Sequence, residues 1–170
     1  MSSKNFSIQA YQEILIQDWY PVLNLTFGHE SFLPLSMVHL VPDKNAVQGL
    51  SSSGMAAGPT AEFAIQRALL ELIERDAFCF YWRTPHCGKV IDKSSLNDPD
   101  IKKLIDCIPE SVFRKIKLVY LPTDLKIPAV AALFFGEDEA SEPGFFVTGG
   151  AGLTAKDAVK AAVYEVLQTL

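Results

Sequence analysis

The longest periodic stretch of the chain runs from Thr60 to about Trp82. In "AEFAIQRALLELIERDAFCFYW" the apolar residues Leu69, Leu70, Leu72, Ile73, Ala77 and Phe80 recur at helical spacing, which predicts an amphipathic helix. Thr60 is its N-cap, and "RTPHCGK" breaks it. Upstream, "WYPVLNLTF" (19–27) and "FLPLSMVHLV" (32–41) are rich in β-branched and aromatic residues and predict two strands. "FGHES" turns between them, giving a hairpin. Downstream, a short surface helix starts near Asp98. "KIKLVYL" (115–121), "IPAVAALFF" (127–135) and "FFVTG" are strands. Their near-continuous hydrophobicity predicts a sheet covered on both faces. "GEDEASEPG" (136–144) is a solvated acidic loop, and a second helix runs from Thr154 to Leu170 without a stop signal, as if cut. The order predicts an α+β fold, a mixed sheet with packed helices.

The two helices share more than their class. "GPTAEFAIQRALLELIER" (58–75) and "GLTAKDAVKAAVYEVLQT" (152–169) align without a gap and place Glu71 on Glu165 and Glu74 on Gln168. Capped helices share Thr and Ala for generic reasons. A carboxylate and a second long oxygen carrier at matching places are not generic. The expectation is a pseudo-two-fold strand–Gly-loop–helix duplication in which Glu71, Glu74, Glu165 and Gln168 converge on one cavity.

Within each helix, residues three and four apart share a face. Glu71, Glu74 and Arg75 therefore form one patch, extended by Arg67, and Glu165 and Gln168 form the other. The bland alternative is a solvent face with i,i+4 ion pairs at Arg67–Glu71 and Glu71–Arg75, worth a few tenths of a kcal/mol each. The second stripe has no such cation, which favours a polar site instead.

Composition narrows the chemistry. The 170 residues are 49% hydrophobic with a net charge of −5 and no basic run, so no nucleic-acid or anionic-membrane surface is expected. Apolar runs too short for a bilayer and an N-terminus without signal-peptide layout predict a cytoplasmic protein. Cys79, Cys87 and Cys107 form no C-x-x-C pair. "HC" at His86 and Cys87 is at most half of a zinc site. Oxygen ligands beside an arginine suit Mg²⁺ carrying phosphates. The approaches "SSSGMAAGPT" and "TGGAGLT" each open a helix able to admit phosphate oxygens, although no P-loop is present. "GAGLTA" (150–155) also fits a dinucleotide-binding turn, a weak signal whose acidic ribose ligand, expected about 20 residues on, would fall at or beyond the last residue given. Ser52 and Ser53 lack the surroundings of a nucleophile elbow.

"GLSSSGMAAGPTAEFAIQRALLELIERDAFCFYWR", "FLPLSMVHLVP" and "GAGLTAKDAVKAAVYEVLQ" together resemble the YcaO-domain family in order and spacing, over roughly residues 18–170. The resemblance implies a single, incomplete YcaO-like ATP-binding domain spanning 1–170. It implies ATP held through Glu71, Glu74, Arg75, Glu165 and Gln168, with Mg²⁺ on Glu71, Glu74, Glu165 and Gln168, and it assigns no catalytic side chain. Family members use ATP to phosphorylate a peptide amide oxygen. A neighbouring Cys, Ser or Thr then closes onto the carbonyl, and loss of phosphate leaves a thiazoline or oxazoline; other members install thioamides. The implied partners are a ribosomally made precursor peptide, a protein that binds its leader, and a second copy in a homodimer. Arg67 stands where the family often has Ser. The family domain is longer, so this stretch is not expected to catalyse alone. The alternative is a non-catalytic YcaO-like scaffold that docks a partner or peptide. A dinucleotide-binding oxidoreductase fragment is the weaker third reading.

Overall fold

A computed structural model describes residues 18–40, 51–136 and 144–170. The N-terminal segment, the start of the "QGLSSSGMAAGP" loop and most of the acidic loop lie outside the described residues. The chain forms two compact units, residues 1–52 and 53–170.

In the first unit, β1 (Trp19–Asn24) pairs antiparallel with β2 (His29–Pro34). The Asn24 side chain accepts from the backbone N–H groups of Thr26 and Phe27 at 3.0 and 3.2 Å, and Gly28 takes a positive φ. This is an Asx-supported turn in which glycine adopts a conformation other residues resist. The second strand is shorter than its composition predicts. It ends at Pro34, and Leu35–Val38 form a single helical turn, α1. Proline has no N–H for the ladder, and its fixed φ suits a helix start.

The second unit is built on a four-stranded antiparallel sheet in the order β3–β4–β5–β6: Lys89–Val90, Ile116–Leu121, Ala129–Phe135 and Phe145–Ala151. Its long helices are α2 (Ala61–Arg83) and α5 (Ala155–Thr169), with the short α3 (Pro99–Ile105) and α4 (Glu110–Lys115) between β3 and β4. Thr60 and Thr154 cap α2 and α5, their hydroxyls accepting from the N–H groups of Phe63 and Asp157. Asp98 caps α3.

The sheet is covered on both faces, as its continuous hydrophobicity predicts. Side chains alternate along a strand. Val130, Ala132 and Phe134 pack with Leu118, Ala158, Ala162, Val163 and Val166 on the α5 face. Ala129, Ala131 and Ala151 pack with Leu70, Ala77 and Leu121 on the α2 face. α5 sits very close to β6, because a Cβ on Gly150 would collide with the backbone of Ala158 and Ala162. Thr148, buried on the same face, donates its hydroxyl to the Ala162 carbonyl at 3.2 Å.

α2 departs from its expected burial. Leu70 and Ala77 are buried, but Leu69, Leu72 and Phe80, expected on the apolar face, are about half exposed. The third buried residue of this helix is Glu74.

Candidate functional site

Glu74 is buried at the place where α2 crosses β6. The strand carries Gly149 on this face, and a Cβ there would lie 2.5 Å from Glu74 Oε1. Glycine leaves room for the carboxylate at this place, and any other residue would push it aside. Gly149 also points its N–H away from β5, off the edge of the sheet, where it donates to Glu165 Oε2 at 3.0 Å. Two helices on opposite faces thus bring carboxylates to one glycine at the edge of β6 that has no strand partner among the described residues.

Around this point lies a cavity of about 600 Å³ whose walls include Arg67, Glu71, Glu74, Gly149, Glu165 and Gln168. That volume falls within the usual range for ligand sites. Met55, Ala56 and Ala57 of the first small-residue approach and Gly152 of the second line the same cavity. Arg75 lines an adjoining recess of about 310 Å³ together with Glu74, Glu165 and Gln168. The structure therefore gathers the five residues singled out in the sequence, four around the cavity and Arg75 beside it.

The electrostatics are unbalanced toward negative charge. Burial pushes the Glu74 carboxyl up to about 7, and the Glu165 charge adds to it. Arg75 pulls the other way, Glu71 pushes up again, and Arg67 exerts a weaker downward pull. Arg75 cannot settle the balance. Its Nε stands 3.9 Å from both Glu71 and Glu74, beyond hydrogen-bond range, and its side chain is 51% exposed. A buried carboxylate facing a second carboxylate is relieved either by holding a proton or by a cation set between the two.

The donors are all oxygen, which fits Mg²⁺. Among the described residues, no three His, Cys, Asp or Glu side chains form a ready-made cage. The protein would supply part of a coordination shell and leave the rest to phosphate and water, as magnesium sites commonly do.

Three rival readings do not fit. Gly150 lies inside β6 of an antiparallel sheet and packs on α5, so "GAGLTA" is not the turn of a parallel βαβ unit. The His86 ring shares a hydrogen bond with the Thr84 hydroxyl and belongs to no metal cluster among the described residues. His86, the histidine of the second unit, is not on the cavity wall, which removes a triad base there.

Gly149 escaped the sequence reading as a site residue. Its signal was a glycine pair inside a strand pattern, which marks close approach of another group. Lys160 and Tyr164 also line the cavity without having been singled out. They follow from helical spacing with Glu165 and Gln168.

The family model for YcaO cyclodehydratases, described as ATP- and Mg²⁺-binding, matches residues 1–170. A protein encoded in the tfuA 3′ region of Rhizobium leguminosarum bv. trifolii is 30% identical over 158 residues, covering 88% of this chain and 37% of that protein. A heterocyclase solved in complex with substrate and cofactor is 29% identical, with a TM-score of 0.73 over 90% of this chain and 21% of its own. YcaO from Methanopyrus kandleri, bound with AMPPCP and Mg²⁺, has the same fold at 23% identity, with a TM-score of 0.73 over 88% of this chain and 39% of its own. The chain thus spans well under half the length of these proteins.

Proposed function

The chain belongs to the YcaO family, and from that premise we propose that its cavity binds Mg-ATP for the activation of peptide backbone amides. At family level the chemistry is ATP-dependent cyclodehydration, with ATP and Mg²⁺ as cofactors. The finer reading is that Cys, Ser or Thr residues of a ribosomally made precursor peptide become azolines. A protein that binds the peptide's leader would assist, and the enzyme would act as a homodimer in the cytoplasm. Among the described residues no helix is long and apolar enough to cross a membrane.

One observation carries the proposal. Glu74 is buried against Gly149 with Glu165 beside it, and burial and that second charge hold its carboxyl near 7. With Glu74 ionised, such an arrangement costs folding free energy that a bound cation would offset. Glu71, Glu74, Glu165 and Gln168 would hold Mg²⁺, and Arg75 would contact phosphate from the adjoining recess. ATP, when bound, supplies the phosphoryl group that turns an amide oxygen into a leaving group. The chain's own part is to hold the phosphates and metal in one orientation, with Gly149 keeping Glu74 and Glu165 on one point. No side chain of this stretch is assigned a proton transfer.

The test is peptide-dependent phosphate release by the full-length gene product. Glu71→Gln and Glu74→Gln should each lower it by about a hundredfold or more, while circular dichroism reports an intact fold. Undiminished release in both variants would remove the assignment. Peptide binding without nucleotide binding would favour the scaffold reading instead.

A further inference from the structure

The cavity and the adjoining recess are two halves of one channel between α2 and α5. Along α2, Phe63 and Glu71 line the cavity, Glu74 lines both spaces, and Arg75 and Phe78 line the recess. Along α5, Asp157 and Ala161 line the cavity, Glu165 and Gln168 line both, and Thr169 lines the recess. Both helices run along the channel in the same direction, with the shared carboxylates at its waist. The larger space, about 600 Å³, lies toward the helix starts, and the smaller, about 310 Å³, lies beyond the carboxylates. Val147, Thr148 and Gly149 of β6 line that smaller space. The Gly149 N–H points away from β5, to Glu165. Residues two apart on a strand point the same way, so the N–H and C=O of Val147 face outward too. Neither has a partner there among the described residues.

We propose that the recess is the acceptor site, in which the peptide to be modified lies extended along β6 at Val147. This rests on the nucleotide reading and adds to it the place of the second substrate. A phosphoryl group passes between an attacking and a leaving oxygen that lie roughly in line. With the nucleoside in the larger space and the metal at the waist, ADP departs toward the helix starts. The amide must then arrive from the opposite side, which is the recess. Its oxygen forms a bond to the γ-phosphorus as the bond from that phosphorus to ADP breaks, and ADP keeps the electron pair. The recess suits an extended peptide. Val147 offers one backbone donor and one acceptor for main-chain hydrogen bonds, and the partly buried Phe78 and Val147 side chains offer an apolar wall beside them. Arg75 stands on the recess side of Glu74 with half of its side chain exposed, placed to meet the group in transfer.

The experiment uses the full-length gene product, Mg-AMPPCP, and a synthetic hexapeptide amide with a central cysteine and a neighbouring benzoylphenylalanine, supplied at millimolar concentration. Irradiation followed by peptide mapping should place the label on Phe78, Val147 or Thr169, and excess unlabelled hexapeptide should suppress it. Label confined to residues outside the recess, or no label at all, overturns the inference while Mg-AMPPCP binding leaves the nucleotide reading standing. Val147→Pro removes the outward N–H without removing a bond to β5. It should raise the KM for the hexapeptide in phosphate release about tenfold and leave the affinity for Mg-AMPPCP unchanged. Val147→Ile keeps the N–H and should behave as the wild type. An unchanged KM in Val147→Pro overturns the inference, and so does an equal loss of nucleotide affinity, because the recess would then belong to the nucleotide. Wild-type protein that binds no Mg-AMPPCP overturns the nucleotide reading and this inference with it.

Discussion

α2 and α5 both lend carboxylates to the cavity, yet they are attached to the sheet in different ways. α5 is built into the core: Ala158 and Ala162 are fully buried, and Val163 and Val166 are 1% exposed. Its Glu165 is held by a backbone N–H, and its small residues let β6 approach closely. α2 is half again as long but buries only Leu70, Glu74 and Ala77. One of its three deepest contacts is a carboxylate rather than an apolar group. α5 is therefore the frame of the site, and α2 presents most of the polar side chains to it. Similar helix grammar serves two ends because what matters is which face meets the sheet.

The contrast breaks most sharply at Gly150. Gly150→Val would push a side chain into the α5 backbone, so unfolding in urea should show a loss of more than about 3 kcal/mol. Next comes Glu74→Gln. The folded carboxyl is raised above its ordinary value of 4.5 to about 7, so the folded state holds its proton more tightly than the unfolded chain does. Ionised Glu74 thus weakens the fold; the penalty is absent below about pH 4.5, grows as pH rises, and is fully present above pH 7. Glu74→Gln should stabilise the empty protein by about 1–3 kcal/mol at pH 8 and change little near pH 4.5. Thermal melts at the two pH values compare them directly. Metal binding needs the ionised form, so Mg-ATP affinity of the wild type should rise with pH through 7.

A smaller effect is expected from Glu165→Gln. It removes the second-largest cause of the Glu74 shift, so the Glu74 titration seen by carboxyl-carbon NMR should move downward. An unmoved midpoint would mean that the two carboxylates do not share a site. Smallest of all is Leu69→Ala on the exposed face of α2, which should cost less than about 0.5 kcal/mol. A loss of several kcal/mol would show that this face is covered after all.

Much of this was legible in the residues. Thr60 and Thr154 mark both helix starts because an N-cap hydroxyl is a local device. β4, β5 and β6 announce themselves by composition. The gapless match of Glu71 and Glu74 with Glu165 and Gln168 pointed to one cavity by way of an assumed duplication, while helical spacing gave the patch within each helix. What escaped has physical reasons too. β3 is two residues long and α4 six, too short for periodicity to build. Pro34 ended β2 inside an apolar run that otherwise reads as strand. The exposure of Leu69, Leu72 and Phe80 was hidden because pattern reveals an apolar stripe but not what lies against it. The role of Gly149 depends on which strand is outermost, and that is a property of topology rather than of any local stretch.

The position of β6 has one more consequence. Among the described residues it is the last strand of its sheet, and the backbone of such a strand is a template on which another extended chain can pair and begin aggregation. At Gly149, where no side chain shields the backbone, the outward N–H is already taken by Glu165. The carboxylate proposed to hold a metal is also a stopper on an open seam, and losing it would expose the protein to sticking as well as to inactivity.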